Sequence, residues 1–339
     1  MPRLSVAPNA LDLDSPGRRD YFVRLEHPTY WGDYLIPLTV YVGRNHVPGR
    51  GVVAIGATHG NEYEGPVAIK HLLHEIDPKA VTGRVILIPT LNVPAFNAGQ
   101  RDTPDDGVNL NRAFPGEERG GITHRIAHFV STAIFPHVHV VLDIHSGGQV
   151  ARFQPLTSFH HVADANQRRA IERTARAFGA RFTMNYQNNT PGLLTSMAER
   201  LGKIVVGSEF GWGNAVLAEG VSMTRQGILS ALIMHEQMTG VLPENVHFPA
   251  SEQILVDNSE HSCYVPAPFD GHFEPICLCG KLVEKGERIA FMHDFNRIDE
   301  PAAEIVAPHD GYVICQAWSA KVFRGQVISV VSIPQPWMS

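Results

Sequence analysis

His59 and Glu62 stand three residues apart in Gly56-Ala-Thr-His-Gly-Asn-Glu-Tyr-Glu-Gly, directly after an apolar run. His145 closes a second such run, Val138-His-Val-Val-Leu-Asp-Ile-His. Two imidazoles and a carboxylate are a donor set that zinc accepts, and a catalytic zinc site takes three protein ligands and leaves a fourth place open. Residues three apart share one face of a helical turn, so the spacing predicts that one turn supplies His59 and Glu62. His145 then arrives from the end of a neighbouring buried strand. One zinc ion per chain is the expected cofactor. A bare H-x-x-E is a weak signal in a chain with 18 histidines, and its weight comes from its place after a strand, together with Asp143-Ile-His-Ser-Gly-Gly at the end of another. The competing reading has His59 capping a helix, Glu62 favouring that helix's positive end and His145 as a satisfied core residue.

Hydrolysis at such an ion also calls for a proton carrier and for groups that hold an anionic substrate. Glu209 ends the run Lys203-Ile-Val-Val-Gly-Ser-Glu and so falls at the carboxyl edge of a strand, where α/β sheets present their chemistry. A carboxylate there can take a proton from an attacking water and return it to a leaving amine. A structural salt bridge is the other reading of Glu209. Between Asn92 and Gly121 the chain loses periodicity and fills with Pro, Gly, Asn and Asp, and loops of that length are usually functional. That stretch holds Arg101 and the pair Asn111-Arg112. A guanidinium presents a planar fork of donors to a carboxylate, and the amide adds a neutral donor. Arg112 could instead tie down its own loop through Asp105 or Asp106.

Elements that would position these groups alternate along the chain. Strand-like runs at Tyr21-Phe-Val-Arg-Leu and 35–43 are expected to pair antiparallel at a sheet edge. They are followed by a strand at 51–58, a helix at 64–76 and a strand at 84–89, an alternation that predicts a mostly parallel sheet flanked by helices. Further helices are predicted near 122–134, 163–178, 192–201 and 221–238, and strands near 181–186 and 203–209. The fold class is therefore α/β, with a mixed, mostly parallel sheet. The length of 339 residues suggests one large unit plus a smaller one, and the 44% apolar content suffices for a full core. A net charge of −6 offers no basic field for nucleic acid. No run reaches membrane-spanning length and no export signal is visible, so the expected compartment is the cytoplasm. The cysteines Cys263, Cys277, Cys279 and Cys315 form no C-x-x-C pair and are expected to be reduced core residues.

After the linker-like Gly240-Val-Leu-Pro-Glu-Asn-Val-His-Phe-Pro, helical periodicity gives way to short strands and turns. Ala267-Pro-Phe-Asp-Gly is repeated as Ala307-Pro-His-Asp-Gly, and each copy is followed by a second turn, Lys285-Gly286 and Arg324-Gly325. Two similar halves predict a small all-β domain of barrel-sandwich type over 251–339, set against a catalytic α/β domain over 1–250. The halves resemble the lipoyl and biotinyl carrier fold, but the joining segment Met292-His-Asp-Phe-Asn-Arg-Ile-Asp-Glu-Pro has no lysine to modify.

Taken in order, His59-x-x-Glu62, Asn111-Arg112, Asp143-x-His145-Ser146 and Glu209-x-Gly211 resemble the succinylglutamate desuccinylase and aspartoacylase family, relatives of the zinc carboxypeptidases. The resemblance spans roughly residues 45–240. It implies a zinc carboxypeptidase-like fold, zinc bound by His59, Glu62 and His145, Glu209 as general base, and Asn111 and Arg112 on the substrate carboxylate. Arg101 is the nearest match to the family's carbonyl-polarising arginine, at a spacing to Arg112 that differs from aspartoacylase. Asp143, on the strand face of His145, is either an orienting partner of that ligand or simply buried. The implied activity is deacetylation of a small N-acetylated amino acid. Removal of another acyl group and a carboxypeptidase action are the alternatives. For a substrate with a side-chain amine, Asp105, Asp106 and Glu219 are the carboxylates considered. The C-terminal domain is expected to narrow the active-site mouth, or else to serve homodimerisation alone.

Overall fold

Runs of Val, Ile and Leu without polar alternation must be covered on both faces. In the computed structural model, which describes residues 4–27, 31–186, 190–243 and 247–338, four such runs make the centre of a mixed sheet. They are β4 (Gly51–Gly56), β5 (Arg84–Ile88), β6 (Val138–Ile144) and β10 (Ile204–Glu209), adjacent in the order β5-β4-β6-β10 and all parallel. Successive side chains point to opposite faces. Val53, Ile55, Ile86 and Val141 therefore meet α3 (Ile122–Phe129) and α5 (Leu194–Arg200), while Val52, Ala54, Leu87 and Val140 meet α1 (Glu64–Glu75), the end of α4 (Ala165–Arg176) and α6 (Ala218–Met234). Beyond β5 lie the antiparallel strands β3 (Asp33–Val42) and β2 (Gly17–Glu26), as the strand-like runs of the first fifty residues predict, and an unexpected β1 (Leu4–Val6) runs parallel to β2 at the edge. Among the described residues no helix is long and apolar enough to cross a membrane.

The structure departs from expectation at several places. The segment His59–Glu62 is a non-helical turn, and α1 begins only at Glu64. Two backbone constraints explain this. Ala57 takes a left-handed conformation with φ of 52°, and Gly60 lies so close to the short helix α2 (Val93–Ala98) that a Cβ there would sit 2.0 Å from the Ala95 carbonyl carbon. The helix expected at 122–134 ends its regular part at Phe129 and continues as a wider π turn, Val130–Ile134. The strands β7 (Ala151–Phe153) and β8 (Leu156–His160) were not expected, and β8 runs antiparallel to β10. Parallel to β8 runs β9 (Phe182–Tyr186), followed by β11 (Ile254–Asp257). Of the four cysteines, all unpaired, Cys277 and Cys279 are only half-buried. Residues 244–246 of the expected linker lie outside the described residues.

The C-terminal strands form two facing sheets. One contains β12 (Tyr264–Pro266), β14 (Leu282–Val283), β17 (Gly311–Ala317) and β19 (Val327–Gln335). The other contains β13 (Gly271–Pro275), β15 (Arg288–His293), β16 (Ala303–Val306) and β18 (Lys321–Val322). Phe273, Ile289, Met292, Val313 and Val331 fill the space between them. The sequence repeat closes this sandwich by exchange. Asp270 Oδ1 accepts from the Arg324 N–H and the Ala267 carbonyl accepts from Gly325, whereas Asp310 Oδ1 accepts from Lys285 and the Ala307 carbonyl from Gly286. Each half thus caps the other's turn, and Gly286 and Gly325 supply the positive φ those turns need. The sandwich joins the larger sheet through β19 on β11 and β17 on β7.

Gly60→Ala is expected to destabilise the protein by about 1–3 kcal/mol, the usual effect of overpacking. Denaturant titration checks it, and an unchanged midpoint would show that α2 yields without cost.

Candidate metal centre and substrate cavity

Three neighbouring strands stop at the same level, and each delivers a chemical group there: His59 follows β4, His145 follows β6, and Glu209 is the last residue of β10. The turn after β4 returns Glu62 to the same point. Its Oε1 lies 2.8 Å from His59 Nδ1 and its Oε2 lies 2.8 Å from His145 Nδ1. A ligand atom from each residue lies within 4.8 Å of the other two, and all three residues are buried.

The far sides of both rings are anchored. His145 Nε2 is 2.9 Å from Asp143 Oδ2, and Asp143 Oδ1 accepts from Thr58 Oγ1 at 2.7 Å. His59 Nε2 is 3.2 Å from Asn109 Oδ1. Facing the Glu62 carboxylate, each Nδ1 is a donor; the oxygen acceptors behind Nε2 can take the ring proton instead when a cation claims the Nδ1 lone pairs at the shared point, which is how metal-bound histidines are commonly held. Two imidazole nitrogens and a carboxylate with this backing fit a divalent cation such as zinc. Asp143 therefore orients a candidate ligand as well as being buried.

Electrostatics agree with the geometry. Burial raises the Glu62 carboxyl, but the charges of His59 and His145 and their hydrogen bonds outweigh it and hold the group far below its usual range. Burial also opposes the charged form of His145, yet Asp143 and Glu62 hold that imidazole well above its ordinary value. In His59 burial prevails and lowers it. Glu209 behaves differently: burial, and next the negative charge of Glu62, push its carboxyl up to about 8 against the pull of His145 and Arg101. Its Oε2 is buried without a hydrogen-bond partner among the described residues.

His59, His145 and Glu209 open onto a cavity of about 280 Å³ that is also lined by Arg101, Asn111 and Arg112, while Glu62 lies behind it. The Arg101 guanidinium donates to Glu62 Oε1 at 3.0 Å. Asn111 Oδ1 accepts from the Leu194 backbone N–H at 2.8 Å, so the amide nitrogen is the end left for a ligand, 3.4 Å from His145 Nε2. Arg112 donates to its neighbour's carbonyl, Asn111 O, at 2.6 Å. Neither aspartate considered for it is its partner: Asp105 accepts from Tyr34 Oη, and Asp106 caps α3 through the N–H and hydroxyl of Thr123. Asp105, Asp106 and Glu219 do not line the cavity, which corrects their consideration as partners of a substrate amine.

Sequence reasoning missed Asn109, Ser158, His160, Tyr186 and Tyr264, of which the last four line the cavity. Asn109 was legible in principle, since it lies two residues before Asn111 in the same polar loop. The others sit on β8, β9 and β12, whose roles depend on tertiary neighbours.

Residues 48–234 match the family described as succinylglutamate desuccinylase/aspartoacylase catalytic domain. The N-alpha-acetyl-L-2,4-diaminobutyric acid deacetylase of Halomonas elongata is 34% identical over 326 residues, 95% of this chain and 93% of that protein. A product-bound structure of the ectoine utilization protein EutE (DoeB) from Ruegeria pomeroyi superposes with a TM-score of 0.87 at 30% identity, covering 96% of this chain and 98% of that one. A succinylglutamate desuccinylase/aspartoacylase structure from Rhodobacter sphaeroides gives 0.89 at 33% identity, with the same coverage.

If the cluster holds a divalent cation, Asp143→Asn is expected to weaken its binding, with zinc as the probe, about 10- to 100-fold, the usual effect of losing a partner that orients a ligand. Competition with a chelator of known affinity measures it, and a change under twofold would reduce Asp143 to a buried structural group.

Proposed function

The chain belongs to the succinylglutamate desuccinylase/aspartoacylase family of amide hydrolases, and from that premise we propose that it is a zinc-dependent deacetylase of a small N-acetylated amino acid. The specific substrate we propose is N-alpha-acetyl-L-2,4-diaminobutyrate, cleaved to L-2,4-diaminobutyrate and acetate in ectoine degradation. The convergence of His59, Glu62 and His145 beside the unpaired carboxylate oxygen of Glu209, in a cavity of about 280 Å³, carries this reading. Likeness to the Halomonas elongata and Ruegeria pomeroyi proteins over nearly the whole chain supports the choice of substrate.

His59, Glu62 and His145 would hold the zinc, which when bound acts as a Lewis acid and makes water a nucleophile near neutral pH. Glu209 is the proton carrier in this scheme: it takes a proton from the attacking water and delivers it to the amide nitrogen as that bond breaks. Its raised proton affinity suits a group that must both accept and donate near neutrality. Arg101, which lines the cavity and is hydrogen-bonded to Glu62 behind it, can turn its guanidinium to the carbonyl oxygen as negative charge builds there. Asn111 Nδ2 and Arg112 are the donors for the substrate carboxylate. Residues 251–339 form the module that narrows the mouth, a role supported by Tyr264 among the lining side chains. A cavity of this size suits an acyl amino acid better than a polypeptide. Four free thiols are compatible with a cytoplasmic location.

Acetate release from N-alpha-acetyl-L-2,4-diaminobutyrate is expected from zinc-loaded protein and not from chelator-stripped protein, with recovery on adding zinc back. Faster cleavage of a hippuryl peptide than of this substrate would favour a carboxypeptidase. Glu209→Gln is expected to lower kcat by about 10²- to 10⁴-fold with the zinc content intact. Arg101→Ala is expected to lower kcat by about 10²- to 10³-fold, more than it raises KM. A kcat for Glu209→Gln within threefold of the parent would remove the proton-carrier role.

A further inference from the structure

The proposed substrate has a side-chain ammonium, and the cavity must satisfy it. Among the described lining residues the one carboxylate is Glu209, already used for proton transfer, and Arg101 and Arg112 are cations. An uncharged acceptor with a lone pair is therefore needed away from the zinc ligands.

His160, at the end of β8, meets that need. It is buried and lines the cavity. From behind, the Glu199 carboxylate of α5 grips it twice: Oε1 accepts from the His160 backbone N–H at 3.0 Å, and Oε2 lies 2.9 Å from Nδ1. The Tyr186 ring lies 5.4 Å from the imidazole, tilted by 30°. A carboxylate can only accept, so Nδ1 carries a proton, and in the neutral ring Nε2 keeps its lone pair. Nε2 has no hydrogen-bond partner among the described residues. The strand register sets the distance scale. Leu156 pairs with Glu209 and Ser158 with Gly207, so His160 lies about 13 Å further along the strand from the Glu209 level. In N-alpha-acetyl-diaminobutyrate the acyl carbon and the ammonium are separated by five bonds, about 6 Å. A contact of about 3 Å at each end makes a span of roughly 12 Å, which the Glu209 and His160 side chains, on the same face of the sheet, need only extend to join those two backbone levels.

We propose that His160 Nε2, its tautomer set by Glu199, is the acceptor for the side-chain ammonium and makes the enzyme selective for a diamino acid. This rests on the substrate reading above. Glu199→Gln tests the tautomer directly. The glutamine has one oxygen, which the His160 backbone N–H requires, so its NH₂ faces Nδ1 and drives the ring proton onto Nε2, where it repels an ammonium.

The measurement is the ratio of kcat/KM for N-alpha-acetyl-L-2,4-diaminobutyrate to that for N-alpha-acetyl-L-2-aminobutyrate, which lacks the amine. Both substrates are assayed on the same sample, so the ratio does not depend on the folded fraction. In His160→Leu and in Glu199→Gln the ratio is expected to fall about 10- to 100-fold, chiefly through KM of the diamino substrate. Parent protein that cleaves the diamino substrate, with variants whose ratio stays within twofold of it, would overturn the role of His160 alone. Parent protein that does not cleave the diamino substrate would overturn the substrate reading and this inference with it.

Discussion

A carboxylate removed from water must be surrounded by donors or by positive charge, or it will not stay ionised. Glu62 is 2% exposed, and the centre of the molecule is arranged around that fact. Its two oxygens are met by His59 Nδ1, His145 Nδ1, the Arg101 guanidinium and the Ser146 N–H, so one side chain ties together the ends of β4 and β6 and the loop after α2. A divalent cation would answer the same need more fully. Around this point the loops after β6 and β10 pair with each other, Phe210 N–H to His145 O at 3.0 Å and Gly147 N–H to Gly211 O at 2.8 Å. A second buried carboxylate, Glu64, accepts from Leu217 N–H at 3.0 Å and requires glycine at 211, where a Cβ would lie 1.9 Å from its oxygen.

What the sequence discloses of this arrangement follows from which interactions are local. The parallel strands are legible because burial on both faces removes polar alternation, and Val138–Ile144 and Ile204–Glu209 are buried or half-buried throughout. The strand-end positions of His145 and Glu209 follow directly from those runs. The helical turn predicted for His59-x-x-Glu62 fails because the backbone there answers to α2, which is remote in sequence, and to a left-handed Ala57. β8 escapes notice for a similar reason: five residues ending in His160 have too little pattern to outweigh the polar neighbours around them. Asn109 and Glu199 take their meaning from tertiary partners, fifty and thirty-nine residues away in sequence.

The C-terminal sandwich shows how a repeat in sequence becomes rigidity at a site. The exchanged Asp270 and Asp310 caps lock the halves together. That locked unit then pairs β17 with β7 and sets Trp318 so close to Gly213 that a Cβ there would be 3.0 Å from the indole. β7 and Gly213 lie in the loops that follow His145 and Glu209. The sandwich therefore braces the two loops on which the catalytic geometry depends, in addition to placing Tyr264 in the cavity. A lysine-free connection between its halves is consistent with use as a wall rather than as a carrier arm.

The charged groups of the cavity bear on how a zwitterionic ligand would lie in it. Arg101 and Arg112 line it together with His59 and His145 of the candidate metal cluster, and the Glu199-backed His160 lines it with Tyr186 beside the ring. A molecule that carries a carboxylate and an ammonium as two arms of the carbon next to its amide nitrogen would have one favourable orientation among these groups, because exchanging the arms places the ammonium against the guanidinium groups. Orientation of this kind reduces the entropy that must be lost on the way to reaction, since only one bound pose needs to be populated. It also keeps two demands apart: the ammonium would find an acceptor outside the cluster of His59, Glu62 and His145, where Arg101 already takes one Glu62 oxygen.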